Sequence, residues 1–368
     1  MASKVYFHNL RTRGEKGNKA NKVRELLDHV MSGSMVAEGD LVAIKIHFGE
    51  RGSDCFINPI FVRPVADRVK RMGGKPYLTD TNTLYSGGRH NSVDHTVTAL
   101  EHGFDYTVTG APVIIADGLR SGNVKEVHVG CKHFENVKMA RDLVEADAMV
   151  VMSHFKGHEL AGFGGAIKNL AMGGAPVQGK KEQHSVTICV DRSMCVGCGN
   201  CHDVCPEAAI TLEGGKAELD HEACIGCGEC MTVCPEDAIG MDWETEIVPF
   251  MERMTEYALG VAKCFEGRAC YITFLTDITP DCDCTSWSDA PIVPDIGILA
   301  SVDPVAIDQA GYDLVNAQRG FKDSLLQTCH EEGCDKIAAL RPETEPTIQL
   351  SYGERIGLGY REYELIEL

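Results

Sequence analysis

Positive charge is scarce in this chain. Its 368 residues carry 35 Lys and Arg against 54 Asp and Glu, a formal net charge of −19. Such a chain has no electrostatic footprint for nucleic acid or for an anionic membrane surface. Long apolar runs are also missing, so no membrane-spanning helix is expected. The start, Met-Ala-Ser-Lys-Val-Tyr-Phe-His, has no basic stretch followed by an apolar one. No signal peptide is therefore expected, and the expected location is the cytoplasm. Neither a Walker A sequence nor a G-x-G-x-x-G dinucleotide fingerprint occurs. Apolar residues make up 44%, which argues against a disordered or fibrous chain. The length suits about two domains.

Cysteine is abundant, with 17 in the chain. In a long chain without an export signal, these read as metal ligands rather than as a disulfide framework. Eight of them fall in a repeat. Cys195-Val-Gly-Cys-Gly-Asn-Cys-His-Asp-Val-Cys-Pro recurs 29 residues later as Cys224-Ile-Gly-Cys-Gly-Glu-Cys-Met-Thr-Val-Cys-Pro. Each copy reads C-x2-C-x2-C-x3-C-P. Three cysteines of one loop hold one cluster, and the fourth reaches the other. Cluster one is expected on Cys195, Cys198, Cys201 and Cys234, and cluster two on Cys224, Cys227, Cys230 and Cys205. Gly197, Gly199, Gly226 and Gly228 let the loops curl and bring amides toward sulfur. Val204, Ile210, Val233 and Ile239 are expected to pack between the clusters. A zinc reading does not explain the fourth Cys-Pro. The block resembles the bacterial two-[4Fe–4S] ferredoxins, which implies low-potential one-electron transfer. Residues 191–240 hold ten acidic and two basic residues, an excess of eight negative charges. That patch suits a redox partner protein with a basic docking surface, or is ordinary solvated surface.

Around the block the pattern alternates strand and helix. Asp40–Phe48 reads as a buried strand, Pro59–Met72 as a helix ended by Gly73-Gly74, and Lys75–Thr81 as the next strand, a parallel βαβ unit. Val137–Glu145 reads as helical and Ala146–Val151 as a strand. After the block, Tyr271–Ile278 reads as a strand and Pro304–Ala317 as a helix capped by Asp303. The expected architecture is an α/β host domain with a parallel sheet, interrupted by an inserted α+β ferredoxin-like module. The host occupies residues 1–186 and 244–368, and the module residues 187–243.

In the host, Ser153–Gly174 (SHFKGHELAGFGGAIKNLAMGG) stands out, with Lys45, Asp80-Thr-Asn82 and Ser301–Asp308. Together these resemble the domain-of-unknown-function family DUF362. Its members are described as iron–sulfur centre proteins, often with an inserted two-cluster ferredoxin. The resemblance implies a fold but no reaction.

His154 and His158 are four apart, a spacing that places two ligands on one helix face. The glycines around them favour a hydrogen-bonded loop instead. Gly162, Gly164 and Gly165 lead into a helix expected from Ala166, whose N-terminus suits an anion or a carboxylate substrate, with Lys156 and Lys168 adding charge. The other reading is a tight turn for close packing. Asp281-Cys-Asp-Cys284 follows a strand end, where open α/β sheets bind ligands. Cys282 and Cys284 there read as a third metal site or a redox pair, or as buried residues near a turn. Lys45 and His47 point either into the cleft or at the surface. Cys264 and Cys270 are weaker candidates. Cys55, Cys131, Cys189, Cys329 and Cys334 read as structural.

Three functions compete. One is an oxidoreductase whose clusters feed a host site built from His154, Lys156, His158, Lys168, Cys282 and Cys284. The second is a non-catalytic ferredoxin-type electron carrier, and the third a metal or cluster delivery protein. An additional metal or a flavin is compatible with all of this, although no flavin motif is present. Exposed low-potential clusters suit an anaerobe.

Overall fold

The computed structural model describes residues 2–368 except Ser32, Ser86, residues 185–187, Pro206, Ile225, Cys227, Gly228, Asp237 and Asp242. Cys227 and Gly228 of the cysteine block thus lie outside the described residues.

Seven strands form the central sheet, in the order Tyr363–Glu367, Ser3–Asn9, Gly297–Ser301, Ala269–Leu275, Ala148–His154, Leu41–Ile46 and Lys75–Thr79. Leu41–Ile46 pairs in parallel with both Lys75–Thr79 and Ala148–His154, as the βαβ reading expects. The helical segment between them is a short 3-10 turn, Pro59–Phe61, running into the α-helix Val62–Arg71. The sheet is not wholly parallel. Gly297–Ser301 runs antiparallel to both of its neighbours. A parallel return needs a crossover, usually a helix. The connection over residues 276–296 contains none and carries the Asp281–Cys284 segment instead.

The central strands read as apolar runs because both faces are covered. On one face, Val42, Ile44, Ile46, Val150, Met152, Ile272 and Phe274 pack against Val23, Leu26 and Leu27 of the helix Lys19–Val30 and against Val62, Val65 and Val69. On the other, Ala43, Met149, Val151 and Tyr271 share a core with Ile167, Leu170, Met254, Val261, Val305 and Ala306. Those residues come from the helices Ala166–Gly174, Trp243–Cys264 and Pro304–Asn316. Each large aliphatic side chain buried this way contributes about 1.5–3 kcal/mol.

One expected helix is largely a strand. Asn136–Ala140 pairs antiparallel with Val124–His128, and only Arg141–Val144 is helical. Val137 and Met139 are buried and alternate with partly exposed Lys138, a period of two that outweighs local helix propensity here. The cysteine block lies outside the main sheet. Ile188–Val190 and Ile239–Met241 pair antiparallel at its two ends, and Ile210–Glu213 pairs with Lys216–Leu219 within it. Among the described residues, no helix is long and apolar enough to cross a membrane.

The helix Ala166–Gly174 is tied to the helix Pro304–Asn316 by Asp308. That buried carboxylate accepts the amide N–H of Ala166 at 2.7 Å and of Ile167 at 2.9 Å. A Cβ on Gly165 would sit 2.4 Å from Asp308 Oδ1, so only glycine admits the approach. Burial raises the Asp308 carboxyl to about 7, against the pull of the two amides. A carboxyl whose folded value exceeds its unfolded value of about 3.9 contributes fully below about pH 4, and the contribution is lost as pH rises toward 7. Asp308→Asn is expected to flatten this part of the stability–pH profile. Asp308→Ala, which leaves two buried amides unpaired, is expected to cost about 1–3 kcal/mol. Urea unfolding between pH 4 and 8 measures both.

Candidate functional site

The carboxyl ends of the parallel strands converge on one pocket of about 450 Å³. This is where open α/β sheets place ligands. Lys45 and His47 come from the end of Leu41–Ile46, Asp80 from the end of Lys75–Thr79, and His154 from the end of Ala148–His154. Lys45 and His47 therefore face the cleft. Lys156 and His158 lie on the strand Lys156–His158, which pairs with Gly162–Gly164. The two histidines are thus placed by strands, neither on a helix nor in an irregular loop. Lys168 reaches in from the helix Ala166–Gly174, and Cys282, Asp283 and Cys284 from the loop that replaces a crossover. All six residues of the expected host site line this pocket: His154, Lys156, His158, Lys168, Cys282 and Cys284.

The residues form three connected groups. In the first, Lys45 Nζ lies 3.0 Å from Asp80 Oδ1 and donates to Asn169 Oδ1 at 2.6 Å. Burial lowers the Lys45 ammonium against the pull of Asp80. Burial also works against the Asp80 carboxylate, yet Lys45, His47, His95 and Arg89 hold its carboxyl below the ordinary value. Gly173 makes room here, since a Cβ would stand 2.2 Å from Lys45 Nζ and displace the ammonium from its place. Arg89 is fully buried and ties Glu50 (3.1 Å) to His47 Nε2 (2.8 Å).

In the second group, Asp283 meets His154 Nδ1 at 2.8 Å through Oδ1 and Lys156 Nζ at 3.2 Å through Oδ2. Burial opposes its charge, but His154 and Lys156 hold the carboxyl well below its ordinary value. Cys55 Sγ lies 3.5 Å from the same Oδ1. In the third group, Lys168 Nζ lies 3.6 Å from Cys282 Sγ. The hydrogen bond with Cys284 holds the Cys282 thiol well below its ordinary value despite burial, and Lys168 and Lys156 act in the same direction. Cys284 is pushed up by that same bond and by burial. His158 Nδ1 accepts the amides of Leu160 and Ala161 at 3.1 and 3.0 Å, and burial and Lys168 lower its basicity.

Several expectations change. The helix entry through Gly162, Gly164 and Gly165 does not present free amides to an anion, since Asp308 already accepts those of Ala166 and Ile167. The positive charge facing the pocket comes from side chains instead: Lys45, Arg51, Arg89, Lys156, Lys168 and Lys180. Burial lowers Lys180 to about 8, against Asp117 and Asp80. Asp281 turns away to Arg341, at 2.6 Å. Cys55 was expected to be merely structural, yet its thiol contacts Asp283. No local motif marks it, because Asp283 and Thr279 lie more than 200 residues away in sequence. Arg89 and Glu50 likewise have no sequence signature beyond lying after strand ends. Cys264 bonds to the Gly260 carbonyl and Cys270 is deep in the sheet, so neither reaches the pocket. Cys329 and Cys334 are joined in a disulfide.

In the cysteine block, Cys195, Cys198, Cys201 and Cys234 line one small cavity. Backbone amides approach the sulfurs: Ala217 to Cys195 at 3.4 Å, Ala238 to Cys234 at 3.2 Å, Ala209 to Cys205 at 3.2 Å and Gly226 to Cys224 at 3.4 Å. Val204 and Val233, expected between two clusters, line the large host pocket.

A family model described as a domain of unknown function, DUF362, matches residues 42–313. No curated protein matches the chain. Among solved structures, the lactate racemase apoprotein from Thermoanaerobacterium thermosaccharolyticum superposes with a TM-score of 0.39 at 13% identity, covering 74% of this chain and 50% of that one. A protein from Thermotoga maritima gives a TM-score of 0.34 at 10% identity, covering 72% of this chain and 52% of that one. The chain thus spans about half the length of each.

The Lys45–Asp80 pair is buried on both sides, so removing one partner strands the other charge. Lys45→Met is expected to cost about 3–5 kcal/mol, and adding Asp80→Asn to recover part of that loss. A double-mutant cycle in urea tests this; additive losses would mean that the two side chains do not depend on each other.

Proposed function

The chain belongs to the DUF362 family, and we propose that it is an iron–sulfur protein passing electrons through two [4Fe–4S] clusters to a redox site in its α/β pocket. The observation that carries this reading is the position of the cysteine block against that pocket. Val204 and Val233, each bonded to an expected cluster ligand (Cys205 and Cys234), form part of the pocket wall. The residues fit the groups assigned to them. Four thiols surround one cavity, and four of the block's sulfurs receive backbone amides, as thiolate ligands of a cluster do. Cys195, Cys198, Cys201 and Cys234 would hold one cluster, and Cys205, Cys224, Cys227 and Cys230 the other. Each cluster would supply one-electron storage.

The host residues supply the rest. The cationic side chains around the pocket suit a small anionic substrate. Cys282, whose thiol is lowered by the hydrogen bond with Cys284 and lies 3.6 Å from Lys168 Nζ, is placed to bind or shuttle a proton at such a substrate. The acidic surface of residues 191–240 suits a basic electron donor. Catalysis rather than simple carriage is favoured because the pocket is lined by buried charged groups, and each such group costs desolvation that a carrier has no use for.

Two experiments test the reading. Iron and acid-labile sulfide on anaerobically purified protein are expected at about eight each per chain. Cys198→Ser is expected to remove about half of the iron, whereas Cys282→Ala with Cys284→Ala should leave it unchanged. Far less iron in a fully reconstituted sample, or iron indifferent to Cys198→Ser, would overturn the two-cluster assignment.

A further inference from the structure

The imidazole of His154 is held between two sets of acceptors. Its Nε2 lies 2.7 Å from the Thr276 carbonyl oxygen and 3.1 Å from that of Asp277. A carbonyl oxygen only accepts, so Nε2 carries the hydrogen. Its Nδ1 faces Asp283 Oδ1 at 2.8 Å. In the neutral ring that nitrogen offers only a lone pair, and so does the carboxylate. Two lone pairs at that distance require a positive centre between them, either a second ring proton or a metal ion.

Cys55 brings a third donor to the same point. Its Sγ is turned onto the same carboxylate oxygen, at 3.5 Å. The three donor atoms of Cys55, His154 and Asp283 all lie within 4.8 Å of one another, and all three residues are buried. With a protonated imidazole the three groups pair by hydrogen bonds alone, the Cys55 thiol donating to Asp283 Oδ1. A metal ion uses all three donors. Donor atoms about 2.0–2.3 Å from a tetrahedral zinc ion stand roughly 3.3–3.8 Å apart. The Cys55–Asp283 separation already lies in that range, and the His154–Asp283 pair needs to open by only several tenths of an ångström. One thiolate and one carboxylate neutralise a divalent ion, and Lys156, 3.2 Å from Asp283 Oδ2, leaves one positive charge for an anionic ligand in the pocket. The Nε2–H bond to a backbone carbonyl is the outer contact that metal-bound histidines usually make, fixing the tautomer that presents Nδ1. Hydroxyls of Ser53 and Thr279 lie 3.5 and 3.8 Å from the Cys55 sulfur and favour its thiolate against burial and the Asp283 charge, which push the thiol up.

We propose that Cys55, His154 and Asp283 form a mononuclear metal centre, separate from the cysteine block, for a first-row divalent ion of borderline softness. Zinc suits its sulfur, imidazole and carboxylate donors best. His154 and Asp283 also line the host pocket, so the ion would be accessible to a ligand bound there. This puts the additional metal of the host domain on Cys55 rather than on Cys282 and Cys284. Among the described residues, Cys55, His154 and Asp283 are the one group of three or more His, Cys, Asp or Glu residues with donor atoms this close.

The test uses full-length protein, stripped with a chelator under anaerobic conditions and reloaded with zinc. Bound zinc is counted, and the zinc K-edge absorption spectrum is recorded, which is blind to iron. About one zinc per chain is expected, with one sulfur at about 2.3 Å and nitrogen or oxygen at about 2.0–2.2 Å. Cys55→Ser should remove the sulfur from that shell and weaken zinc binding at least tenfold, while Cys282→Ser should change neither. No retained zinc, a four-sulfur shell, or a shell indifferent to Cys55→Ser would overturn the proposal. If the Cys55 variant fails to fold, the wild-type shell alone decides. Iron and sulfide counts are independent of this result, so the cluster assignment stands or falls separately.

Discussion

Asp283 is fully buried, and a carboxylate out of water must be neutralised by whatever the fold brings to it. Here the fold brings a histidine from the end of a central strand, a lysine from the hairpin that follows and a thiol from a remote loop. The Asp283 backbone carbonyl also accepts the Glu50 amide at 2.9 Å. One residue therefore joins the ends of two strands and the loop of a third. If that carboxylate lost its partners, the loop over residues 276–296 would lose its main buried polar anchor. Much of the pocket's geometry depends on this contact.

The same loop explains the departure from a fully parallel sheet. A crossover helix between Ala269–Leu275 and Gly297–Ser301 would have packed on a face of the sheet and returned the chain in parallel. The chain instead spends those residues on a loop and returns antiparallel. Its tip carries Cys282, Asp283 and Cys284 into the pocket, while Asp281 points back to Arg341. The environment thus changes at one step of this segment, between Asp281 and Cys282.

The close approach of the helix Ala166–Gly174 to the sheet has a similar origin. Gly165 makes room for Asp308, and Gly173 for the ammonium of Lys45. The glycines of this segment pack charged groups at short range. The cationic character expected of the segment survives, but it resides in side chains drawn from several elements.

What the sequence determined by itself was local. Strands buried on both faces show as apolar runs, the Asp303-Pro304 helix start shows as a cap, and the repeated cysteine spacing shows as a repeat, because each depends on residues a few positions apart. His154, Lys156, Lys168 and Cys282 were legible as candidates for the same reason, since each lies in a dense local motif. Cys55, Glu50 and Arg89 were not, because their meaning depends on partners that only the folded sheet brings near. The direction of Gly297–Ser301 and the strand at Asn136–Ala140 were also settled by pairing, which a single segment does not encode. The tertiary structure decided which charges are buried together, and burial, by removing water, turns those residues from solvated side chains into a coupled site.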